Sequence, residues 1–481
     1  MDPYNCVMTR VPVEVDLELP GLPELPEELE GGTWWGNGPA RVGSRLVHPF
    51  DGNGYLRALR LGRKQMRLQT AFVRTETCAA ELEAGKPVYL GLATLPGRSW
   101  WENLRAPAPR NVANTCVTPW GGHILALWEG GLPHAVDPES LQTVGPRDFG
   151  GELAKGEAFL AHTRWDSVRD LLVGLSPHIE GPRTSFVLRS LDRQGNLMQK
   201  SSYVLDSFTI AHDFAITPNY GVVMDSSVVI SPWAMVKALA RRIPLLEAIR
   251  FSERKARIVL IPRAGGQGRV VTLPHALLSV HQANAWEEEE DGRVVLVSCA
   301  MDAFTFGREF GWRGPDAPLD VSDNAGNQQK VYRFEIEKDG TVHSRVLSEV
   351  AIDFPRVRPE RDGLPTQHMW GVVTRLPGGA TPFPAIVHLD CKSGVSTIWK
   401  GEPGIFWGEP IVIPRGITEE DVWVAAMRYE LDKTTLCIFD GAAVDRGPRY
   451  QVPLPVNLPY GFHGCWQPRK EGLGSIPAEP S

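Results

Sequence analysis

Residues 203–230 read YVLDSFTIAHDFAITPNYGVVMDSSVVI, and this stretch decides the fold class. Two runs rich in β-branched and aromatic residues, YVLDSFTI and GVVMDSSVVI, flank a segment that contains Asp, Pro and Asn. Each run has about the length of one strand, and the residues between them are typical of turns and loops. The stretch therefore predicts β-strands joined by a short segment that carries one histidine, His212.

The same pattern recurs along the whole chain. Further strand-length runs are HILALW (123–128), RIVLIP (257–262), RVVLVSCA (293–300), KVYRFEI (330–336), PAIVHLD (384–390), IVIPR (411–415) and TTLCIFD (434–440). Gly occurs 48 times and Pro 40 times, and no low-complexity linker interrupts the runs. Regularly spaced short strands predict an all-β sandwich, barrel or propeller. We expect one domain over 1–481, with extensions at about 1–25 and 468–481.

Composition excludes several classes of protein. The formal net charge of -7 comes from acids and bases scattered along 481 residues, which argues against a nucleic-acid-binding surface. The seven cysteines form no CxxC pair and indicate a reducing, cytoplasmic setting. The N-terminus lacks the pattern of a secretory signal, and no apolar run reaches the length of about 18 residues that a membrane span needs.

Four histidines lie in distinctive sequence settings. They are His162 in FLAHTRWDS, His212 in IAHDFAITPNY, His281 in SVHQANAWE and His463 in LPYGFHGCW. Neutral imidazole is the commonest metal ligand, and its second nitrogen is usually held by a carboxylate or a carbonyl group. Candidate carboxylates are Glu129, Asp353 and Glu409. This set of residues predicts a non-haem iron site.

Eight motifs follow one another in a family-specific order. They are WWGNGPARVGSRLVHPFDGNGYL (34–56), ANTCVTPWGGHILALWEGGLPHAVDPESLQT (113–143), AHTRWDS (161–167), AHDFAITPNY (211–220), VHQANAWE (280–287), DFPRV (353–357), EPIVIPR (409–415) and GFHGCW (461–466). In these motifs the chain resembles the carotenoid cleavage oxygenases, a family that also includes stilbene-cleaving dioxygenases and the retinoid isomerohydrolase.

The resemblance implies a seven-bladed β-propeller with a dome of helices and loops over the iron-bearing face. Successive histidines of the set lie at least 50 residues apart. One four-stranded blade takes about 40–50 residues, so the histidines fall on different blades. Strands near the propeller axis can then bring residues that are remote in sequence to one ion.

The resemblance also implies an activity. The four histidines would hold one Fe(II) per chain and leave room for dioxygen and a substrate double bond. The expected reaction splits one C=C bond of a carotenoid or apocarotenoid into two carbonyl products. Thr115 matches a small residue whose methyl group crowds one open metal position, although it could equally be an ordinary strand residue.

Each carboxylate is expected to orient one histidine. By resemblance, Glu129 should orient His212 and Glu409 should orient His463. The third acid of the family is usually Glu, and here it is Asp353. The shorter side chain needs a small backbone shift or a bridging water to reach His281, and Glu349 is an alternative partner. His162 is expected to lack a carboxylate partner.

The substrate class is predicted from two positions. Phenol-cleaving relatives carry Lys where this chain has Trp128, and Tyr or Trp where it has Phe72. Losing the cation and gaining an apolar surface favours a polyene. The alternatives are a stilbene or phenylpropene oxygenase, a retinoid-type isomerohydrolase that consumes no oxygen, and a non-catalytic propeller. No nucleic-acid or protein partner is implied.

Residues 231–251, SPWAMVKALARRIPLLEAIRF, resemble a membrane-docking segment of the family. The apolar side chains are Trp233, Met235, Leu239, Leu245 and Leu246. An amphipathic helix of this kind lies in the membrane interface without crossing it. The alternative is an ordinary helix packed on the propeller, and in either case Pro244 must kink or split it. We expect a cytoplasmic protein with a peripheral membrane contact.

Overall fold

The computed structural model describes residues 3–43, 47–108, 110–314, 316–320, 329–374 and 383–469. In the first half of the chain the strands are β1 (Val15–Pro20), β2 (Thr33–Gly36), β3 (Pro39–Ala40), β4 (Asn53–Arg60), β5 (Gln65–Phe72), β6 (Cys116–Trp120), β7 (His123–Leu127), β8 (His134–Val136), β9 (Thr143–Pro146), β10 (Arg164–Asp166), β11 (Leu171–Glu180), β12 (Arg183–Leu191), β13 (Leu197–Leu205), β14 (Ala215–Ile216), β15 (Tyr220–Asp225) and β16 (Val228–Ile230).

In the second half they are β17 (Ile249–Phe251), β18 (Arg257–Pro262), β19 (Arg269–Thr272), β20 (Leu278–Glu287), β21 (Val294–Met301), β22 (Lys330–Ile336), β23 (Val342–Ser348), β24 (Ile352–Arg356), β25 (His368–Val373), β26 (Ala385–Asp390), β27 (Ser396–Lys400), β28 (Phe406–Trp407), β29 (Ile411–Pro414), β30 (Val422–Tyr429), β31 (Thr434–Asp440), β32 (Pro448–Pro453) and β33 (Gly464–Gln467).

These strands form the seven blades of a β-propeller, as predicted. The blades run in strand order β1-β5-β4-β2-β33 with β3 on β4, β6 to β9, β10 to β13, β14-β15-β18-β19, β20 to β23, β24 to β27, and β28-β30-β31-β32 with β29 on β30. Strands β16 and β17 form a separate two-stranded ribbon. The C-terminal β33 pairs with β2 near the N-terminus, so the first blade closes the ring.

The core lies between the blades. Residues of the β14–β19 blade and the β20–β23 blade share one hydrophobic cluster, and comparable clusters fill other blade interfaces. Strand β21 is buried at every residue because it is central within its blade and covered on both faces. Strand β13 is the outer edge of its blade and alternates between more and less exposed residues. This difference explains why RVVLVSCA reads as a continuous apolar run.

The helices are short. In the described ranges the α-helices are α1 (Pro3–Met8), α2 (Glu76–Ala84), α3 (Trp100–Arg105) and α4 (Pro232–Leu239), and one of several 3-10 turns covers Leu245–Ala248. Helix α4 begins at a side-chain cap, where the Ser231 hydroxyl accepts a hydrogen bond from the Ala234 amide. Pro244 precedes the 3-10 turn, so 231–251 is split into two helical pieces. A dome formed by these helices over the metal-bearing face stays a prediction.

The domain boundaries also stay a prediction. Residues 15–20, inside the expected N-terminal extension, form strand β1 and pair with β5. Tyr4 and Val7 of α1 are buried in the largest hydrophobic cluster. Of the expected C-terminal extension, residues 470–481 lie outside the described residues.

The innermost strands of the blades carry the predicted site residues. Strands β10, β14, β20 and β24 contact one another in sequence around the axis, as do β29, β33 and β6. Each blade places one residue of the predicted site within such a strand or at most three residues before it, and Glu129, which follows β7, is an eighth predicted residue. In chain order the seven residues, one from each blade, are Thr115, His162, His212, His281, Asp353, Glu409 and His463. The ring of blades therefore converts seven distant sequence positions into one shell.

Candidate metal centre

The structure brings the four predicted histidines together. Each offers one ring nitrogen, and these four nitrogens all lie within 4.8 Å of one another. The Nε2 atoms of His162 and His212 are 3.1 Å apart. His162, His281 and His463 are buried, and His212 is partly exposed. We call this group the histidine cluster.

Three histidines of the cluster have Nδ1 held by a carboxylate. His212 Nδ1 lies 2.9 Å from Glu129 Oε1, and His463 Nδ1 lies 2.8 Å from Glu409 Oε1. His281 Nδ1 lies 2.5 Å from Asp353 Oδ1. Because Nδ1 donates to an acid, the Nε2 atom of each ring carries a lone pair toward the centre.

The donor set fits a metal ion. His281 Nε2 is buried and has no hydrogen-bond partner among the described residues. An unpaired polar atom in the interior destabilises a protein unless a ligand satisfies it. A divalent cation between the four nitrogens would satisfy it, since neutral imidazoles bind iron, copper, nickel and zinc.

His162 differs from the other three histidines. In the part of the chain that the structure describes, His162 forms no ion pair with an acid. Burial, followed by the neighbouring His463, His212 and His281, lowers the pKa of His162 well below its ordinary value. Burial thus favours the neutral form of the His162 imidazole, which is the form that can bind a metal ion.

Asp353 contacts His281 directly. Of the two ways in which the shorter side chain was expected to reach His281, the bridging water is not needed. Strand β24 shifts register against β25 between Asp353 and Arg356, and this irregularity supplies the backbone displacement. The Phe354 amide donates a hydrogen bond of 2.8 Å to the same oxygen, Asp353 Oδ1. Glu349 instead pairs with Lys330 over 3.0 Å and is exposed. The structure therefore places Asp353, and not Glu349, on His281.

Glu409 is held from two further directions. Arg356 donates two hydrogen bonds of 2.8 Å, one to each oxygen of the Glu409 carboxylate, and the Gly464 amide donates another of 2.9 Å. Burial alone would raise the pKa of this carboxyl, but Arg356 and His463 bring it to about 2. Glu409 is therefore a fixed anion that orients His463.

A second arginine joins the three chain segments that carry His162, His212 and His281. Arg164 donates to both oxygens of Asp213, at 2.8 and 2.9 Å, and to the Gln282 carbonyl oxygen at 2.8 Å. The Gln282 amide in turn donates to Asp213 over 2.7 Å. These three residues lie one or two positions after a ligand histidine. This arrangement was not predicted from the sequence, and the adjacency to the three histidines was the available signal.

Thr115 and Trp128 lie beside the cluster. The Thr115 hydroxyl donates to Glu129 Oε2 over 3.1 Å, and the Thr115 carbonyl oxygen accepts from the His463 amide. Trp128 is buried and immediately precedes Glu129. Phe72 lies elsewhere, in the core of the first blade, where its ring packs 5.6 Å from Tyr55. The part that Trp128 and Phe72 play in binding substrate stays a prediction.

Phe354 is a site residue that was not predicted from the sequence. Its ring centroid lies 5.3 Å from that of His281 and 4.8 Å from that of His463, with edge-to-face geometry at both. Its φ of 49° is in the left-handed region, which L-residues rarely adopt. The strand irregularity after Asp353 places the ring there.

None of the helices in the described ranges has the length and apolar character needed to span a bilayer. All seven cysteines are free thiols.

Comparison with known proteins agrees with this architecture. The sequence model of the family described as RPE65, retinal pigment epithelial membrane protein, matches residues 8–468. Apocarotenoid-15,15'-oxygenase of Synechocystis sp. is 31% identical over 463 residues, which cover 92% of this chain and 91% of that protein. The chloroplastic carotenoid cleavage dioxygenase 7 of Oryza sativa is 27% identical and covers 92% of this chain and 86% of its own length.

Solved structures show the same likeness. A mutant of the Synechocystis apocarotenoid oxygenase superposes with a TM-score of 0.88 at 30% identity, covering 97% of this chain and 98% of that one. The cobalt-substituted form of that protein gives 0.87 at 29% identity with the same coverage. The chain belongs to the RPE65 family, the carotenoid cleavage oxygenases that its eight motifs predicted.

Proposed function

We propose that this protein is a non-haem Fe(II) dioxygenase that cleaves one C=C bond of a carotenoid or apocarotenoid. The observation that carries the proposal is the histidine cluster with three carboxylates on its outer nitrogens. The names of the relatives, apocarotenoid oxygenase and carotenoid cleavage dioxygenase, supply the reaction class. Each oxygen atom of O2 ends in one carbonyl product, so the reaction balances without an external reductant.

Iron is the metal that the donor set supports best for this reaction. Four neutral nitrogens suit Fe(II), whereas a zinc site would give no reason for redox chemistry. Iron(II), when bound, supplies the redox-active centre at which dioxygen reacts with one double bond. The Synechocystis relative has been solved in a cobalt-substituted form.

The protein's own residues hold the centre in place. Glu129, Asp353 and Glu409 fix three imidazole rings with Nε2 facing inward, and Arg356 keeps Glu409 ionised. Partners of this kind are conventional for metal-bound imidazole and strengthen the ligand. Thr115 keeps the Glu129 carboxylate oriented through its hydroxyl group. We assign these residues to positioning the metal ligands.

The test is turnover by iron-loaded protein with a panel of carotenoids, apocarotenals, retinyl esters and hydroxystilbenes. We expect cleavage of a polyene with one O2 consumed for each molecule cleaved, and products identified by mass. Conversion of a retinyl ester to an alcohol without oxygen consumption would instead indicate an isomerohydrolase. No turnover of any panel member by protein that carries iron would overturn the proposal.

We also propose that one exposed apolar patch docks on a lipid surface. The most exposed apolar side chains of α4 are Trp233 (70%), Val236 (55%) and Leu239 (73%), and α3 adds Trp101 (63%) and Leu104 (42%). We call these five residues the docking patch. Exposed aromatic and aliphatic clusters of this size mark interaction sites, and a polyene substrate dissolves in lipid.

The two helices of the docking patch form one unit. The Trp100 indole donates to the Ala240 carbonyl oxygen over 2.7 Å. Arg241 donates to the carbonyl oxygens of Asn103 and Leu104 at 3.0 and 2.7 Å. Among the residues named from sequence, Leu245 is exposed, whereas Met235 and Leu246 are only partly so.

Replacing Trp233 and Leu239 together by aspartate should weaken docking. We expect less sedimentation with phospholipid vesicles and lower turnover of vesicle-borne polyene, because two charges would have to enter the interface. Iron content and unfolding temperature should not change, since both side chains are exposed. The matched control replaces Val395 and Ile417, which are exposed on other blades, by aspartate. Equal losses in both double variants would remove the docking assignment.

A further inference from the structure

A buried acid–histidine pair lies outside the metal centre. His48 is 0% exposed and Glu309 is 7% exposed, and His48 Nε2 lies 3.2 Å from Glu309 Oε2. The other ring nitrogen, His48 Nδ1, accepts a hydrogen bond of 3.1 Å from the Phe50 amide. Nδ1 is therefore the acceptor and Nε2 carries the hydrogen, but this N–H group is not aligned on either oxygen of Glu309. The two side chains are thus close without an aligned hydrogen bond between them.

The Glu309 carboxylate is short of donors. Neither of its oxygens makes a well-aligned hydrogen bond among the described residues, and the only polar contact in reach is His48. The neighbouring buried acid Asp51 differs, because the Leu92 and Ala93 amides donate to it over 2.7 and 3.0 Å. A buried carboxylate is strongly disfavoured unless donors surround it. Glu309 Oε1 is therefore an open acceptor in the interior.

Aromatic rings connect this pair to the histidine cluster. The ring centroid of Phe50 lies 4.8 Å from that of His48 and 6.2 Å from that of Phe462. Phe310 follows Glu309 directly and stacks on Phe462 at 5.6 Å. Phe462 immediately precedes His463 of the cluster. Phe50, Phe310 and Phe462 therefore pack on one another as a continuous aromatic wall between the pair and the histidine cluster.

Segments beside the pair contact the turn that follows the docking patch. The Leu246 amide donates to the Leu92 carbonyl oxygen over 2.9 Å, and the Leu92 amide donates to Asp51 Oδ1 over 2.7 Å. A Cβ atom on Gly307 would lie 3.2 Å from Glu247 Cγ. Residues two or three positions from Glu309 and His48 therefore lie close to this turn.

We propose that Glu309, with His48 behind it, binds a hydroxyl group on the end ring of the polyene substrate. This inference rests on the proposed function and names a substrate class within it, the polyenes with a hydroxylated end group. A carboxylate can only accept hydrogen bonds, so it selects a donor such as a hydroxyl over an unsubstituted ring. Anchoring one end of a rigid polyene also sets which double bond reaches the metal. Glu309 is thus a specificity-determining residue for both substrate and cleavage position.

The test compares two polyenes that differ only in the end-ring hydroxyl. Their binding to iron-loaded protein is titrated without oxygen, so that no turnover is needed, and KM, kcat and product masses are then measured in air. Glu309→Leu removes the acceptor while keeping an apolar side chain of similar size. We expect its affinity for the hydroxylated polyene to fall about 10- to 100-fold, the usual range for a lost hydrogen bond to a charged group.

Other readouts separate recognition from a structural role. The unsubstituted polyene should bind wild type and Glu309→Leu equally. Glu309→Gln should restore part of the preference because its amide oxygen still accepts, and it tests the proposal if the leucine variant does not fold. A cleavage position that becomes mixed in Glu309→Leu would support the anchoring role.

The outcomes also distinguish this inference from the proposed function. Wild type that binds both polyenes equally, or variants that lose affinity for both alike, would overturn the role of Glu309. Selective binding of the hydroxylated polyene without cleavage in air would leave that role intact and overturn the dioxygenase. Selective binding followed by cleavage at one bond supports both.

Discussion

Replacing His281 by alanine should remove iron from the protein and abolish turnover. His281 is buried, its Nδ1 donates to Asp353, and its Nε2 has no partner within the described chain other than the metal it would bind. Loss of this side chain leaves three imidazoles in the cluster. It also removes the His281 hydrogen-bond donor from the Asp353 carboxylate. The measurement is iron per chain by elemental analysis, together with oxygen consumption on the preferred polyene. We expect about one iron in wild type and almost none in the variant.

Three further variants serve as comparisons for this result. His275 is exposed and close in sequence, so His275→Ala should keep full iron content and activity. Asp353→Ala should lower iron affinity about 10- to 100-fold without abolishing binding, the range typical of a residue that supports a ligand. Glu349→Ala should leave it unchanged because Glu349 pairs with Lys330. An active, iron-bearing His281→Ala would contradict the site.

A polyene should outcompete a hydroxystilbene by a large factor. Trp128 stands where phenol-cleaving relatives carry a lysine, so a phenol would enter without its cationic partner, and the buried indole adds apolar surface. A site that lacks the polar group for a substrate hydroxyl can discriminate by up to about 10⁴. The measurement is the ratio of kcat/KM values from one competition mixture of an apocarotenal and a hydroxystilbene. Trp128→Lys should narrow the ratio, and Phe159→Leu, in the core between two blades, serves as a control for general damage to packing.

The competition has one clear contrary outcome. Efficient cleavage of the hydroxystilbene, with no reaction on any carotenoid or apocarotenoid, would move the protein to the stilbene-cleaving branch. It would leave the fold and the histidine cluster as they are, since both branches would use them.

Much of the metal centre could be predicted from sequence. Four histidines in family motifs identified the cluster, and short apolar runs indicated the all-β class. Both signals are local in sequence. Each histidine is identified by the motif around it, and each strand is indicated by its own apolar run. The number of blades and the position of the axis came from the family resemblance, since no internal repeat marks them.

Other features depend on how the blades meet, and sequence alone did not reveal them. The direct contact between Asp353 and His281 lies beside a register shift in the pairing of β24 with β25. Arg164 finds Asp213 only when two neighbouring blades are assembled. Glu309 lies 261 positions after His48, and the sequence around neither residue predicts their contact.

The docking patch shows the same limit. The sequence pointed to 231–251, but α3 contributes Trp101 and Leu104 from a segment more than a hundred residues earlier. Pro244 also separates α4 from the turn that carries Leu245, so the apolar residues do not share one helix. Exposure on a surface assembled from two segments cannot be predicted from one of them.

The most direct test of the central claim is the fate of oxygen during cleavage. The iron-loaded protein is supplied with ¹⁸O₂ and its preferred polyene, and the products are reduced at once to alcohols, which stops exchange of carbonyl oxygen with water. A dioxygenase at the histidine cluster predicts one ¹⁸O atom in each of the two products. Label in only one product, or in neither, would contradict the account.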